Sequence, residues 1–184
     1  MKFYAGIGSR QTPRPWLDLM ETMASVLARQ GYTLRSGAAE GADTAFEHGA
    51  YKTWRLCADA PMPEIYAPWE GFGEGRAGLP TPTRIAVELP AEAAVIARRN
   101  HPAWHTLKRP ARWLHTRNVA QVLGEDCHTP VDFVLCWTPG GSGKGGTGQA
   151  LRIAREANIP VYDMGGLAMP YIRSQLHEKF GVDL

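Results

Sequence analysis

Between residues 133 and 148 the chain reads Phe-Val-Leu-Cys-Trp-Thr-Pro-Gly-Gly-Ser-Gly-Lys-Gly-Gly-Thr-Gly, and six glycines fall between Gly140 and Gly148. Glycine permits tight turns, lets the backbone approach a ligand closely, and allows several N–H groups to point the same way. The apolar residues ahead of the glycines predict a buried strand over 131–137. Behind them Ala150, Leu151, Ala154 and Ala157 recur at helical spacing. A helix that starts in such a loop offers unpaired N–H groups and the positive end of its dipole, which together suit a phosphate. Thr138, Gly140, Gly141, Gly145, Gly146 and Thr147 are therefore candidate phosphate-binding residues.

Other chemistries fit less well. Gly141-x-Gly143-x-x-Gly146 and Gly143-x-Gly145-x-x-Gly148 both match the dinucleotide fingerprint, but so glycine-rich a run matches easily. That fingerprint normally belongs to the first strand–helix unit and here falls in the fourth, which argues against a nicotinamide dehydrogenase even with Asp163 about 20 residues downstream. A phosphate-binding P-loop fails, because Thr138 stands where its first glycine belongs and Gly145 follows Lys144 where Ser or Thr is needed. His101 and His105 stand four residues apart, but Pro102 disturbs the turn and no third ligand is evident. No metal and no cofactor are expected. Cys57, Cys127 and Cys136 have no metal spacing and cannot all pair, so a reduced, cytoplasmic setting is expected.

Strands are predicted over 2–7, 32–34, 64–67, 131–137 and 160–164. Helices are predicted over 15–30, from the 38–43 loop to 51, over 91–100, over 104–123 with a break at Pro110, after Gly148, and over 169–179. This alternation predicts an α/β fold, a doubly wound parallel sheet of Rossmann-like type with flanking helices. Right-handed crossovers put every strand's C-terminal end on one edge. The glycine turns after the first strand, Gly6-Ile7-Gly8-Ser9-Arg10, and after the fourth then meet at the topological switch point, where ligands bind.

The 184 residues are expected to form one domain, with an irregular insertion at about 70–90 marked by Gly71, Gly73, Gly75, Gly78, Pro80, Pro82 and Pro90. A net charge of +2 supplies no global field for nucleic acid, so any basic site must be local. Arg98, Arg99, Lys108, Arg109, Arg112 and Arg117 form such a stretch, without an acid and with Trp104 and Trp113 among them. It reads equally as a contact surface for phosphates and bases or as a solvated helix face. No stretch is long and apolar enough to span a membrane.

Several motifs together resemble the Smf/DprA–LOG superfamily: Gly6-Ile7-Gly8-Ser9-Arg10, the run Ser36-Gly37-Ala38-Ala39-Glu40-Gly41-Ala42-Asp43-Thr44-Ala45, Arg117-Asn118, and Gly145-Gly146-Thr147-Gly148. Residues 36–48 are most similar to DprA. The resemblance implies a Rossmann-like fold, a homodimer or higher homo-oligomer, and a site for nucleotides or nucleic acid at this edge. It puts Gly8, Ser9, Arg10, Ser36, Gly37, Gly41, Asp43, Arg117 and Asn118 in that site, with Arg10 and Arg117 supplying charge and Ser36 and Asp43 reaching ribose hydroxyls. Phosphoribohydrolases of this group carry Gly-Gly-x-Gly-Thr-x-x-Glu. Here Gln149 follows Thr147-Gly148, and no Glu comes before Glu156. An amide offers no negative charge to an oxocarbenium-like transition state.

The sequence thus favours a binder over an enzyme, one that senses, carries or sequesters a small phosphorylated nucleotide or signalling nucleotide. The alternatives are DprA-like binding of single-stranded DNA through Arg98, Arg99, Lys108, Arg109 and Arg112, and an active nucleoside monophosphate phosphoribohydrolase.

Overall fold

Short apolar strands alternating with amphipathic helices pair into a six-stranded, all-parallel sheet of order β4-β3-β2-β1-β5-β6. The computed structural model describes the backbone of all 184 residues and every side chain except that of Val87. The strands are β1 (Lys2–Gly8), β2 (Tyr32–Ser36), β3 (Glu64–Ala67), β4 (Arg84–Ile85), β5 (Phe133–Trp137) and β6 (Val161–Asp163). The helices are α1 (Arg14–Arg29), α2 (Ala42–Leu56), α3 (Ala91–Arg99), α4 (Arg109–Leu123), α5 (Gly145–Glu156) and α6 (Met169–Phe180). The fold is α/β and Rossmann-like, as the alternation predicts. From β1 the chain steps outward through β2, β3 and β4, then crosses back to β5 and β6 on the other side. The order therefore reverses between β1 and β5, whose register ends with Gly8 opposite Trp137.

The pleat divides β1 between two cores. Tyr4 faces one core, with Met20, Leu27, Phe46, Leu135, Ile172 and Leu176. Phe3, Ala5 and Ile7 face the other, with Ile96, Val119, Val122, Val134 and Ile153. Burial on both faces is why β5 reads as an unbroken apolar run rather than an alternating one. Each large side chain so buried contributes about 1.5–3 kcal/mol. Tyr4 and Phe133 stack with ring centres 5.9 Å apart, which fixes β1 against β5 where their pairing begins.

Two expectations change. The helix expected over 104–123 is a 3-10 turn at Trp104–Thr106 followed by α4, which begins at Arg109 with Pro110 in its first turn. Proline lacks an N–H and clashes with the preceding turn, so it is tolerated where a helix starts and not within one. The insertion at 70–90 is not wholly irregular: Arg84–Ile85 pairs with β3, and Ala86–Glu88 forms a 3-10 turn. Arg84 reaches Glu64 at 3.5 Å and also contacts Glu125, which pins this edge strand. Among the described residues no helix is long and apolar enough to cross a membrane.

Candidate functional site

At the C-terminal ends of β1 and β5, where the strand order reverses, lies a cavity of about 390 Å³. Four segments wall it: the turn after β1, the loop into α2 with Ala39 and Asp43, the start of α5, and the inner face of α4. Gly8 must be a glycine, since a Cβ there would come within 2.7 Å of Ala42 Cβ and 3.0 Å of Trp137 O. The following turn is held by backbone groups. Ser9 donates its N–H to Trp137 O at 3.0 Å, and Ser9 O accepts the Thr12 hydroxyl at 2.7 Å. Ser9 Oγ accepts the Gln11 N–H at 3.0 Å. Arg10 is left exposed at the mouth.

On the opposite wall α5 begins at Gly145 with Lys144 as its N-cap, and no side chain caps its first N–H groups. Gly145, Gly146 and Thr147 line the cavity, so these donors and the positive helix end face it. A Cβ on Gly146 would meet nothing within 4 Å, which leaves the backbone open to a ligand. The exposed Lys144 adds a cation. Thr138 shapes this loop from behind: its Oγ1 accepts the Gly143 N–H at 2.9 Å and donates to Asp163. Asp163 also accepts the N–H groups of Thr138 at 2.9 Å and Gly165 at 3.0 Å, so its carboxylate is spent on architecture.

The floor is a buried charge pair. Asp43 accepts the Gly8 N–H at 3.2 Å and lies 3.6 Å from Arg117 Nη1, and Arg117 donates to Gly37 O. Burial raises the Asp43 pKa, with Arg117 opposing; burial lowers that of Arg117, with Asp43 opposing. Arg117 is 6% exposed and balanced internally, so the cations offered to an incoming anion are Arg10 and Lys144. Asn118 donates to Gln149 Oε1 at 2.9 Å and to Gly146 O at 3.3 Å, tying α4 to the start of α5. Gln149 is fully buried, donates to Ala97 O at 3.4 Å, and does not line the cavity.

Of the residues named from the sequence, Gly8, Ser9, Arg10, Asp43, Arg117, Asn118, Gly145, Gly146 and Thr147 converge on the cavity. The others stand behind its wall. Ser36 Oγ donates to Gly6 O at 2.7 Å, and Gly37 receives Arg117. Gly41, at φ 81°, packs on the Ser9–Arg10 turn. Gly140 and Gly141 lie in a 3-10 turn whose Gly141 abuts Gly166. Sequence reasoning missed the α4 contribution of Ala111, Leu114, His115 and Gln121. Together with Asn118 these recur at three- and four-residue steps, a helical stripe that was legible once α4 was known to start at Arg109.

The basic stretch is organised by aromatic rings. Arg109 lies 4.7 Å from the Trp113 ring centre, and Arg112 lies 5.8 Å from that of Trp104. Arg98, His101, Trp104, His105 and Arg112 line a second, open cavity of about 460 Å³. Arg99 pairs with Glu156 at 2.8 Å, and Lys108 is the exposed N-cap of α4. The His101 and His115 rings meet at 4.3 Å, and the two cavities adjoin there, because His115 lines the first and His101 the second. Burial, and then the neighbouring His101, push the His115 pKa down to about 4, so the junction is uncharged at neutral pH. Among the described residues no three His, Cys, Asp or Glu side chains are grouped to hold a metal ion.

No protein-family model matches this chain, and no curated protein does. Among solved structures it is similar to DNA processing protein A from Helicobacter pylori, described for its single-stranded DNA binding mode. The identity is 15% and the TM-score 0.46, over 100% of this chain and 74% of that one. It is also similar to DNA processing protein A from Streptococcus pneumoniae, with 15% identity and a TM-score of 0.48, over 96% of this chain and 54% of that one. Likeness at this level identifies neither the family nor the ligand of this chain.

Proposed function

We propose that this protein binds single-stranded nucleic acid, seating one nucleotide's phosphate at the start of α5 and leading the strand past His115 onto the Arg98–Trp104–Arg112 groove. The observation that carries this reading is that the two cavities adjoin, the His115 ring of the first touching the His101 ring of the second. An uncapped helix start with Lys144 and Arg10 suits a phosphate. Exposed arginines lying over tryptophans suit the next phosphate and base, because stacking accepts any base and guanidinium groups track the backbone. Single-stranded DNA is also what the H. pylori protein is described as binding; the proposal rests on this chain's own surface.

The reading is tested by fluorescence anisotropy of a labelled oligo-dT at low and high salt, with Lys144→Glu in the first cavity and Arg112→Glu in the groove. Both variants are expected to weaken binding, and affinity is expected to fall as salt rises. A folded wild-type protein that binds no oligonucleotide at low salt would overturn it.

A second reading, a free phosphorylated nucleotide, is favoured by the size of the first cavity, which suits one small ligand. Under it, mononucleotides would raise the melting temperature, Lys144→Glu would abolish that rise, and Arg112→Glu would have no effect.

A further inference from the structure

The insertion between β3 and α3 packs from behind on two segments that wall the first cavity, the loop into α2 and helix α4. Gly73 lies flush on Ala38: at φ 77° a Cβ on Gly73 would sit 3.0 Å from Ala38 Cβ and 3.2 Å from Ala38 O. Arg76 donates its Nε to Gly73 O at 3.0 Å, which folds the insertion back on itself. The same guanidinium reaches 2.7 Å from the carboxylate of Glu47, which has no exposed surface. Glu47 in turn accepts the Ala38 N–H at 2.9 Å. On the other side Trp69 packs edge-on against Phe72, with ring centres 5.1 Å apart, and lies 6.4 Å from Trp113 of α4.

Ala38 is where this bracing matters. It holds φ 59°, a left-handed conformation that costs an alanine free energy and persists only when its surroundings impose it. The next residue, Ala39, lines the cavity, and Ala39 O accepts the Thr44 hydroxyl at 2.8 Å at the start of α2. Letting go of the Ala38 N–H would free the wall between Gly37 and Asp43.

We infer that Arg76 is a positioning residue for the cavity: its ion pair with Glu47 keeps that carboxylate on the Ala38 N–H and so holds the 37–43 loop in its ligand-ready shape. Arg76 touches no ligand in this arrangement and acts through Glu47 and Ala38. The inference rests on reading the cavity as a ligand site. The insertion is then a brace for that site, built from the one segment whose composition gives no regular pattern.

The test combines amide hydrogen exchange with oligo-dT affinity for wild type, Arg76→Met, Arg76→Lys and Glu47→Gln. Arg76→Met is expected to speed exchange at Ala38 and its neighbours while β1 and β5 keep their protection. It is also expected to weaken oligo-dT binding roughly tenfold, since a wall in place about a tenth of the time multiplies apparent affinity by that fraction. Arg76→Lys, which keeps the charge, should recover most of both effects. Unchanged exchange at Ala38 in Arg76→Met overturns the inference, and so does faster exchange with wild-type affinity. If Arg76→Met does not fold, Arg76→Lys and Glu47→Gln decide: wild-type protection in Lys with lost protection in Gln supports the brace, and equal exchange in the two overturns it. If the wild type binds no oligonucleotide, the strand reading falls, and the exchange result alone decides whether Arg76 holds the wall.

Discussion

Glu47 and Gln149 occupy buried positions where a charge and an amide have different consequences. Burial pushes the Glu47 pKa up to about 7, against the pull of Arg76. A folded-state value above the unfolded one means that the native protein keeps a proton the unfolded chain has lost between about pH 4.5 and 7. The contribution to stability is therefore full below that window and is lost as pH rises through it. His115, pushed down to about 4, works in the opposite sense, so the isolating measurement is the difference between wild type and Glu47→Gln. Denaturant titrations should show that difference moving against the wild type between pH 5 and pH 7.5 by at least about 1.4 kcal/mol, the worth of one pKa unit. A pH-independent difference would contradict it. Gln149 supplies no carboxylate and faces Asn118 rather than the cavity, and Asp43, the acid that does line it, is engaged by Gly8 and Arg117. Incubation with AMP, GMP, CMP and UMP, followed chromatographically, is accordingly expected to release no base faster than about one per second.

At the scale of the element, the start of α5 is a helix end left open. Its first N–H groups have no side-chain cap, and Gly146 has open space where a side chain would go. Gly146→Val therefore meets no steric obstacle in the fold, while its branched side chain stands between the helix start and a ligand. Circular dichroism and melting should match the wild type within a few degrees, and oligo-dT binding should fall at least about tenfold, the loss of one phosphate interaction worth 1.4 kcal/mol. Full binding by a folded Gly146→Val protein would move the site away from α5. Helix α4 has a double role, with its Ala111–Leu114–His115–Asn118 stripe on the cavity and Arg109 and Arg112 outward over tryptophans. One helix thus joins the cavity to the groove.

For the whole molecule, a net charge of +2 spread over 184 residues gives little long-range attraction for a polyanion. Affinity must come from the few cations that face the path: Arg10 and Lys144 at the first cavity, Arg98 and Arg112 at the second. Each neutralised phosphate of a single strand contributes about −0.7 to the slope of log K against log salt, so four contacts predict a slope near −3. Arg112→Glu should make that slope shallower by about one contact. A slope near zero would mean that the strand is not held through its phosphates.

The sequence alone carries the α/β alternation, the meeting of two glycine turns at the switch point, and a helix behind the second glycine loop, although that helix starts at Gly145 rather than after Gly148. Each is encoded locally, in an apolar run, a glycine, or a recurrence at helical spacing. It also determined that no carboxylate stands at position 149. The folded arrangement alone shows that Arg117 is neutralised by Asp43, that Ser36, Gly37, Thr138 and Asp163 serve as architecture, and that Arg76 closes on Glu47. It alone found the two-residue strand β4, too short for any periodicity to register. Partners such as Arg117 and Gly37 lie 80 residues apart. Whether a polar side chain meets a ligand or another part of the chain depends on which distant segment the sheet order brings beside it, and no local pattern carries that information.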